Sequence, residues 1–310
     1  MLRRVKASEG RAIDGVIAAA VSPRRARENS IDLGATLELV DFLGERGCNG
    51  IALLGSTGEF VHFAPDDRRN MVRFAAKRSR VPLLVNVSHS TLDGAVDLAR
   101  DAAEDGVAGV MIMPPHYFRY EQPEIREYLL QFAKEVDGAV PIYLYNIPFF
   151  TNPLAVETAV ELLNTGLFSG IKDSSGDPTY LATVPRRVGD MRIRTFVGSE
   201  AIYTEARIGG VSGTISGIAS ALPELLVAID RAICTGDHER ARALDHYIRE
   251  LLAQMRSFPL PVAIIEMLRV RKQKMGAFAG PMSVETNRRL AEFREWFAGW
   301  LPEVLRHCAR

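Results

Sequence analysis

One lysine is placed to do chemistry. Lys172 closes the apolar run Leu167-Phe168-Ser169-Gly170-Ile171, in a chain of 310 residues that holds only six lysines. Burial disfavours an ammonium ion, and a neutral amine attacks a carbonyl carbon to give an imine. The protonated imine withdraws electrons from the adjacent carbon, so an enamine forms and adds to an aldehyde. This is class I aldolase chemistry. The plain alternative is a structural lysine paired to Asp173 or another carboxylate. Tyr145 ends a neighbouring apolar run, and its hydroxyl suits proton transfer near an imine. A core tyrosine with a satisfied hydroxyl is the other reading. Ser56 and Thr57 lie in a turn bounded by Gly55 and Gly58. Two backbone N–H groups and two hydroxyls there suit a carboxylate, although a simple tight turn fits the same residues. Glu59 follows as a general base or as a brace for the loop.

These residues need a scaffold that brings them together. Short apolar runs recur at Gly15–Val21, Gly50–Leu54, Pro82–Val87, Ala108–Met113, Pro141–Tyr145, Phe168–Lys172, Arg194–Val197 and Val211–Ile215. They read as buried parallel strands. Amphipathic segments lie between them. Leu33, Leu37, Val40 and Leu43 form one apolar stripe, with Ser30 as its cap, and Leu92, Val96, Ala99 and Ala103 form another after Thr91. Gly47, Gly106, Gly138, Gly166, Gly189 and Gly209 each precede a strand, as left-handed helix ends do. The α/β alternation predicts a (β/α)8 TIM barrel with a C-terminal helical extension. Residues 1–235 read as the catalytic barrel domain. Residues 236–310 read as helices packed on it, at Asp237–Gln254, Val262–Met275 and Val284–Trp300. A doubly wound sheet would open with a Gly-rich turn, but Ser22-Pro23-Arg24-Arg25 follows the first strand.

Charge and cysteine usage narrow the function. Lys+Arg and Asp+Glu both number 38. Zero net charge argues against nucleic-acid or membrane-surface binding. The basic stretch Arg269–Lys274 reads as a solvated face or a subunit contact. Cys48, Cys234 and Cys308 form no disulfide framework or CxxC pair, which fits a cytoplasmic protein. The basic N-terminus has no apolar stretch behind it of the kind a signal peptide needs. Catalysis in a barrel gathers at the C-terminal strand ends. Those ends carry Ser56, Thr57, His89, His116, Tyr117, Tyr145, Lys172, Gly198, Ser199 and Ser216.

The motifs GSTGE at 55–59, PPHY at 114–117, YNIP at 145–148 and GIKDSSGD at 170–177 resemble the dihydrodipicolinate synthase / N-acetylneuraminate lyase family. Their order and spacing match from about Gly15 to Pro223. The resemblance implies a Schiff-base lyase acting on pyruvate or another 2-keto acid. It gives Lys172 as the imine-forming lysine and Tyr145 as the proton relay. Thr57 and Ser56 become the keto-acid carboxylate site and the continuation of the relay. Tyr117 matches a tyrosine that reaches across a tight dimer contact, and Ile215 lines the keto-acid pocket. The glycines at 55, 58 and 198 allow close approach to substrate. No metal or organic cofactor is implied, and a homotetramer is expected.

The departures point to the second substrate. Lysine-biosynthetic members carry an arginine five residues after the YNxP tyrosine, where this chain has Phe150. A phenyl ring makes no bidentate carboxylate contact. Ser56-Thr57 replaces a usual pair of threonines, and Ser220 stands where relatives often have asparagine. The expected activity is therefore aldol cleavage or dehydration of a 2-keto-3-deoxy sugar acid, rather than condensation with aspartate semialdehyde. Phe150 helps shape the acceptor pocket. Three other readings are weaker. A metal lyase would use His62, His89 and His116, and a phosphate site would use Gly198-Ser199 and Ser216-Gly217. A catalytically silent keto-acid-binding barrel would have lost Lys172 or Tyr145.

Overall fold

The computed structural model describes residues 13–25, 30–189 and 193–309. The basic N-terminal segment read above lies in residues 1–12, outside the described residues. Eight parallel strands close in sequence order: β1 (Gly15–Ala19), β2 (Gly50–Leu53), β3 (Leu83–Asn86), β4 (Gly109–Ile112), β5 (Ile142–Asn146), β6 (Gly170–Asp173), β7 (Arg194–Val197) and β8 (Gly213–Ser216). Nearly every strand residue is buried, because barrel side chains fill the interior on one face and meet helices on the other. The seam pairs Gly15 with Gly213. A Cβ on Gly213 would lie 2.0 Å from the Gly15 carbonyl oxygen, so the seam closes only without a side chain there.

The surrounding helices are α1 (Leu33–Glu45), α2 (Pro65–Arg78), α3 (Leu92–Glu104), α4 (Gln122–Val136), α5 (Val156–Asn164), α6 (Pro178–Arg187), α7 (Tyr203–Ile208) and α8 (Pro223–Cys234). Three more follow: α9 (His238–Met255), α10 (Leu260–Val270) and α11 (Val284–Cys308). The apolar cluster of the barrel continues into them through Ile248, Leu251, Ile264, Met267 and Phe297. No single described helix is long and apolar enough to cross a membrane.

Local details depart from the sequence reading. Asp32, not Ser30, caps α1, accepting from Ala35 N–H at 3.0 Å. The helix therefore turns its Ala35, Leu39, Val40 and Leu43 face inward, and Leu37 is only half-buried. Thr91 does cap α3. Gly47, Gly106, Gly138 and Gly166 are left-handed as expected. After α7 that conformation falls on Gly210 rather than Gly209. The basic stretch is not simply a solvated face. Arg271 is half-buried and pairs with Glu224 at 2.5 Å, and Lys274 pairs with Glu38 at 2.7 Å.

Candidate active site

Lys172 and Tyr145 are register partners on β6 and β5, so both side chains project to the same side of the sheet. The Lys172 Nζ lies 4.2 Å from the Tyr145 ring centroid. Lys172 is only 4% exposed, yet no carboxylate forms an ion pair with it among the described residues. The pairing with Asp173 does not form. Asp173 turns to the other face, where it accepts from Asn146 Nδ2 and Ser175 Oγ, each at 2.7 Å. Burial raises the pKa of Asp173, and these hydrogen bonds partly offset that. Gly198 explains how Lys172 fits. A Cβ there would lie 1.9 Å from Ser174 Oγ and 3.1 Å from Lys172 Cε.

The Tyr145 hydroxyl lies 3.1 Å from Ser56 Oγ, linking β5 to the loop after β2. Ser56, Thr57, Tyr145, Lys172, Gly198, Ile215 and Phe150 line one cavity of about 530 Å3. Among the described residues, nothing accepts from the backbone N–H groups of Ser56 and Thr57. Two free N–H donors and two hydroxyls beside a buried amine suit a carboxylate. Glu59 braces this loop: its carboxylate lies 3.3 Å from the Arg24 guanidinium and 3.4 Å from His62 Nδ1. Deeper support comes from Arg68. It donates to the carbonyls of Asn86 and Ser88, while Asn86 Nδ2 donates to the Leu54 carbonyl.

Two expected substrate contacts, and Tyr117, lie outside this cavity. Gly55 and Gly58 shape the turn but do not line the cavity, and the Gly58 carbonyl accepts from Ser22 Oγ. Tyr117 is 90% exposed, in an outer groove beside Phe149 and Phe150. Its loop turns outward, so within one chain the ring does not reach the Lys172 cavity.

Two contributors escaped the sequence reading. Glu200 lines the cavity and accepts from Ser216 Oγ at 2.6 Å and Ile218 N–H at 3.0 Å. These loop donors would have served a phosphate, and a carboxylate now occupies them. Leu252 and Met255 of α9, with Leu260 and Ile264 of α10, roof the same cavity. The histidines do not assemble. His89 lies 3.1 Å from Thr91 Oγ1, and the His116 ring meets Phe60 edge-on. No group of three His, Cys, Asp or Glu side chains is placed to hold a metal among the described residues.

A buried lysine at the C-terminal rim of a closed eight-stranded barrel, beside a tyrosine and a free pair of N–H groups, defines a class: the class I lyases and aldolases. The family follows from comparison with known proteins. A profile of the dihydrodipicolinate synthetase family matches residues 12–296, and the chain belongs to that family. A probable 2-dehydro-3-deoxy-D-pentonate aldolase of Escherichia coli is 30% identical, over 83% of this chain and 85% of that protein. A 4-hydroxy-tetrahydrodipicolinate synthase of Alcanivorax borkumensis is 28% identical, over 89% of this chain and 97% of that one. The sialic acid aldolase of Ruminococcus gnavus superposes with a TM-score of 0.86 at 22% identity, over 94% of this chain and 99% of that one. That last likeness concerns the fold alone.

Proposed function

We propose that the chain forms an imine between Lys172 and pyruvate, and makes or cleaves a 4-hydroxy-2-keto acid of the 2-keto-3-deoxy sugar-acid type. One observation carries this reading: a buried, unpaired lysine shares a cavity with a tyrosine hydroxyl that is itself hydrogen-bonded to Ser56. In cleavage, the 4-hydroxyl gives up its proton and the bond between carbons 3 and 4 breaks. Its electrons move to the imine nitrogen, leaving an enamine and an aldehyde. Carbon 3 of the enamine is then protonated, and water releases pyruvate and the free amine. The Tyr145–Ser56 pair is the proton carrier in this scheme, and the N–H groups of Ser56 and Thr57 hold the carboxylate. No metal or organic cofactor takes part.

Glu200 supports a hydroxylated substrate. One of its oxygens is occupied by Ser216 and Ile218, and the other has no partner among the described residues. The name of the Escherichia coli relative points the same way. Condensation with aspartate semialdehyde is the other family reaction, but among the described residues Lys172 is the only Arg or Lys in the cavity wall, and Phe150 replaces a cation. We further infer a cytoplasmic homo-oligomer, dimer or tetramer. The exposed rings of Tyr117, Phe118 and Phe149 offer it a contact face, and all three cysteines are free thiols.

Borohydride reduction in the presence of pyruvate tests the reading. The expected result is a pyruvyl mass increment on the Lys172 peptide, lost in Lys172→Ala. An unmodified peptide would falsify it.

A further inference from the structure

A second cavity, of about 650 Å3, opens beside the Lys172 cavity. The two share Ser56, Phe150 and Leu260 in their walls, so a molecule extending from the lysine past Phe150 enters it. The rest of its wall is mainly apolar, with Phe60, Val61, Met113, Ile265, Phe278 and Met282. Two of its polar groups are already engaged. Glu59 is held by Arg24 and His62, and Ser56 by Tyr145. Burial, with His89 and Arg68 nearby, lowers the pKa of His116. No Arg or Lys lines this cavity among the described residues. A phosphate or second carboxylate would therefore meet no Arg or Lys there, and a polyhydroxylated chain would lose hydrogen bonds to water that these mainly apolar walls replace only in small part.

We propose that this cavity is a second acceptor subsite, which takes the non-polar substituent of an aryl or branched-alkyl aldehyde. The inference rests on the Schiff-base reading above and adds an activity to it: carboligation of pyruvate with a non-polar aldehyde. The enamine carbon on Lys172 forms a bond to the aldehyde carbon. The carbonyl π electrons move to oxygen, which takes a proton from the Tyr145–Ser56 pair. Water then hydrolyses the imine, restoring the amine and releasing a 4-substituted 4-hydroxy-2-keto acid. No oxidant or reductant enters. A volume of this size accommodates a substituted ring, and apolar walls favour it by excluding water.

The test uses the full chain with pyruvate and either benzaldehyde or glyceraldehyde, following adduct formation by mass spectrometry. Two variants perturb the second cavity alone. Val61→Asp changes a residue that is 62% exposed, so folding is spared, and Met282→Glu enters the same wall from the C-terminal side. Even one methylene of fit in a hydrophobic pocket changes selectivity by roughly 10- to 200-fold. The expected result is therefore a drop in kcat/KM for benzaldehyde of at least about tenfold, with glyceraldehyde and pyruvate trapping unchanged. Equal effects on both aldehydes, or no benzaldehyde adduct in a protein that traps pyruvate, overturns the subsite and leaves the imine reading standing. Failure to trap pyruvate overturns both. Sedimentation is measured alongside: a variant that loses subunits and keeps its aldehyde preference assigns the face to a second copy of the chain, and overturns the subsite.

Discussion

At the scale of single residues, the site depends on what Tyr145 contributes beyond its ring. The ring packs against the Lys172 Nζ, and the hydroxyl lies 3.1 Å from Ser56 Oγ. Tyr145→Phe separates the two, since it keeps the packing and deletes the proton carrier. We predict a fall in kcat of about 10²- to 10⁴-fold, with loss of about 1 kcal/mol of stability from one hydrogen bond. Steady-state kinetics and thermal unfolding check it, and an unchanged kcat would remove Tyr145 from the relay. Lys172, Tyr145, Ser56 and Thr57 were legible in the sequence because each sits at or just beyond an apolar run. Glu200 was not. Its orientation is fixed by donors on and after β8, many residues later, and no local pattern encodes that meeting. Tyr117 turns outward at a φ of 78°, and the reach across a dimer contact that the resemblance implies needs a second chain.

At the scale of elements, the back of the site is a clamp between β5 and β6. Asn146 and Asp173 follow Tyr145 and Lys172 in sequence and are themselves register partners. Asn146 donates to Asp173 and accepts from Leu154 N–H at 3.0 Å, which ties down the segment carrying Phe149 and Phe150. Asn146→Ala leaves that buried N–H and one carboxylate oxygen short of partners. We predict a loss of about 2–4 kcal/mol from these unsatisfied groups, faster proteolysis within residues 147–154, and a higher KM for the acceptor aldehyde. Pyruvate trapping should persist, because Lys172 keeps its neighbours. A protease pattern and KM unchanged from the parent would show that the clamp does not position the loop. The strands could be read from the sequence to within two or three residues, since buried parallel strands are short and apolar throughout. The cap of α1 was misplaced by two residues because Ser30 and Asp32 are both good caps, and only tertiary packing decides which residue turns in.

At the scale of the whole molecule, the neutral sequence balance conceals a buried guanidinium, Arg68, close to His89 and His116. Arg68 is buried, with its pKa lowered to about 10 by desolvation and by neighbouring Arg69. Desolvation, with Arg68 nearby, lowers the pKa of His89, and desolvation with His89 and Arg68 does the same for His116. In the unfolded chain both imidazoles return to an ordinary value near 6.5. As pH falls through that value the unfolded chain takes up protons that the folded protein does not, so the equilibrium moves toward unfolding. The stability from these groups is thus present above about pH 6.5 and is lost on acidification until the folded-state pKa values are reached. We predict that Tm falls between about pH 7 and pH 5, and that His89→Gln combined with His116→Gln flattens this fall. Thermal unfolding of both proteins across that range measures the difference. Parallel curves would place the linkage in other groups, whereas a flatter variant curve would show that keeping these imidazoles neutral carries a cost in acid stability.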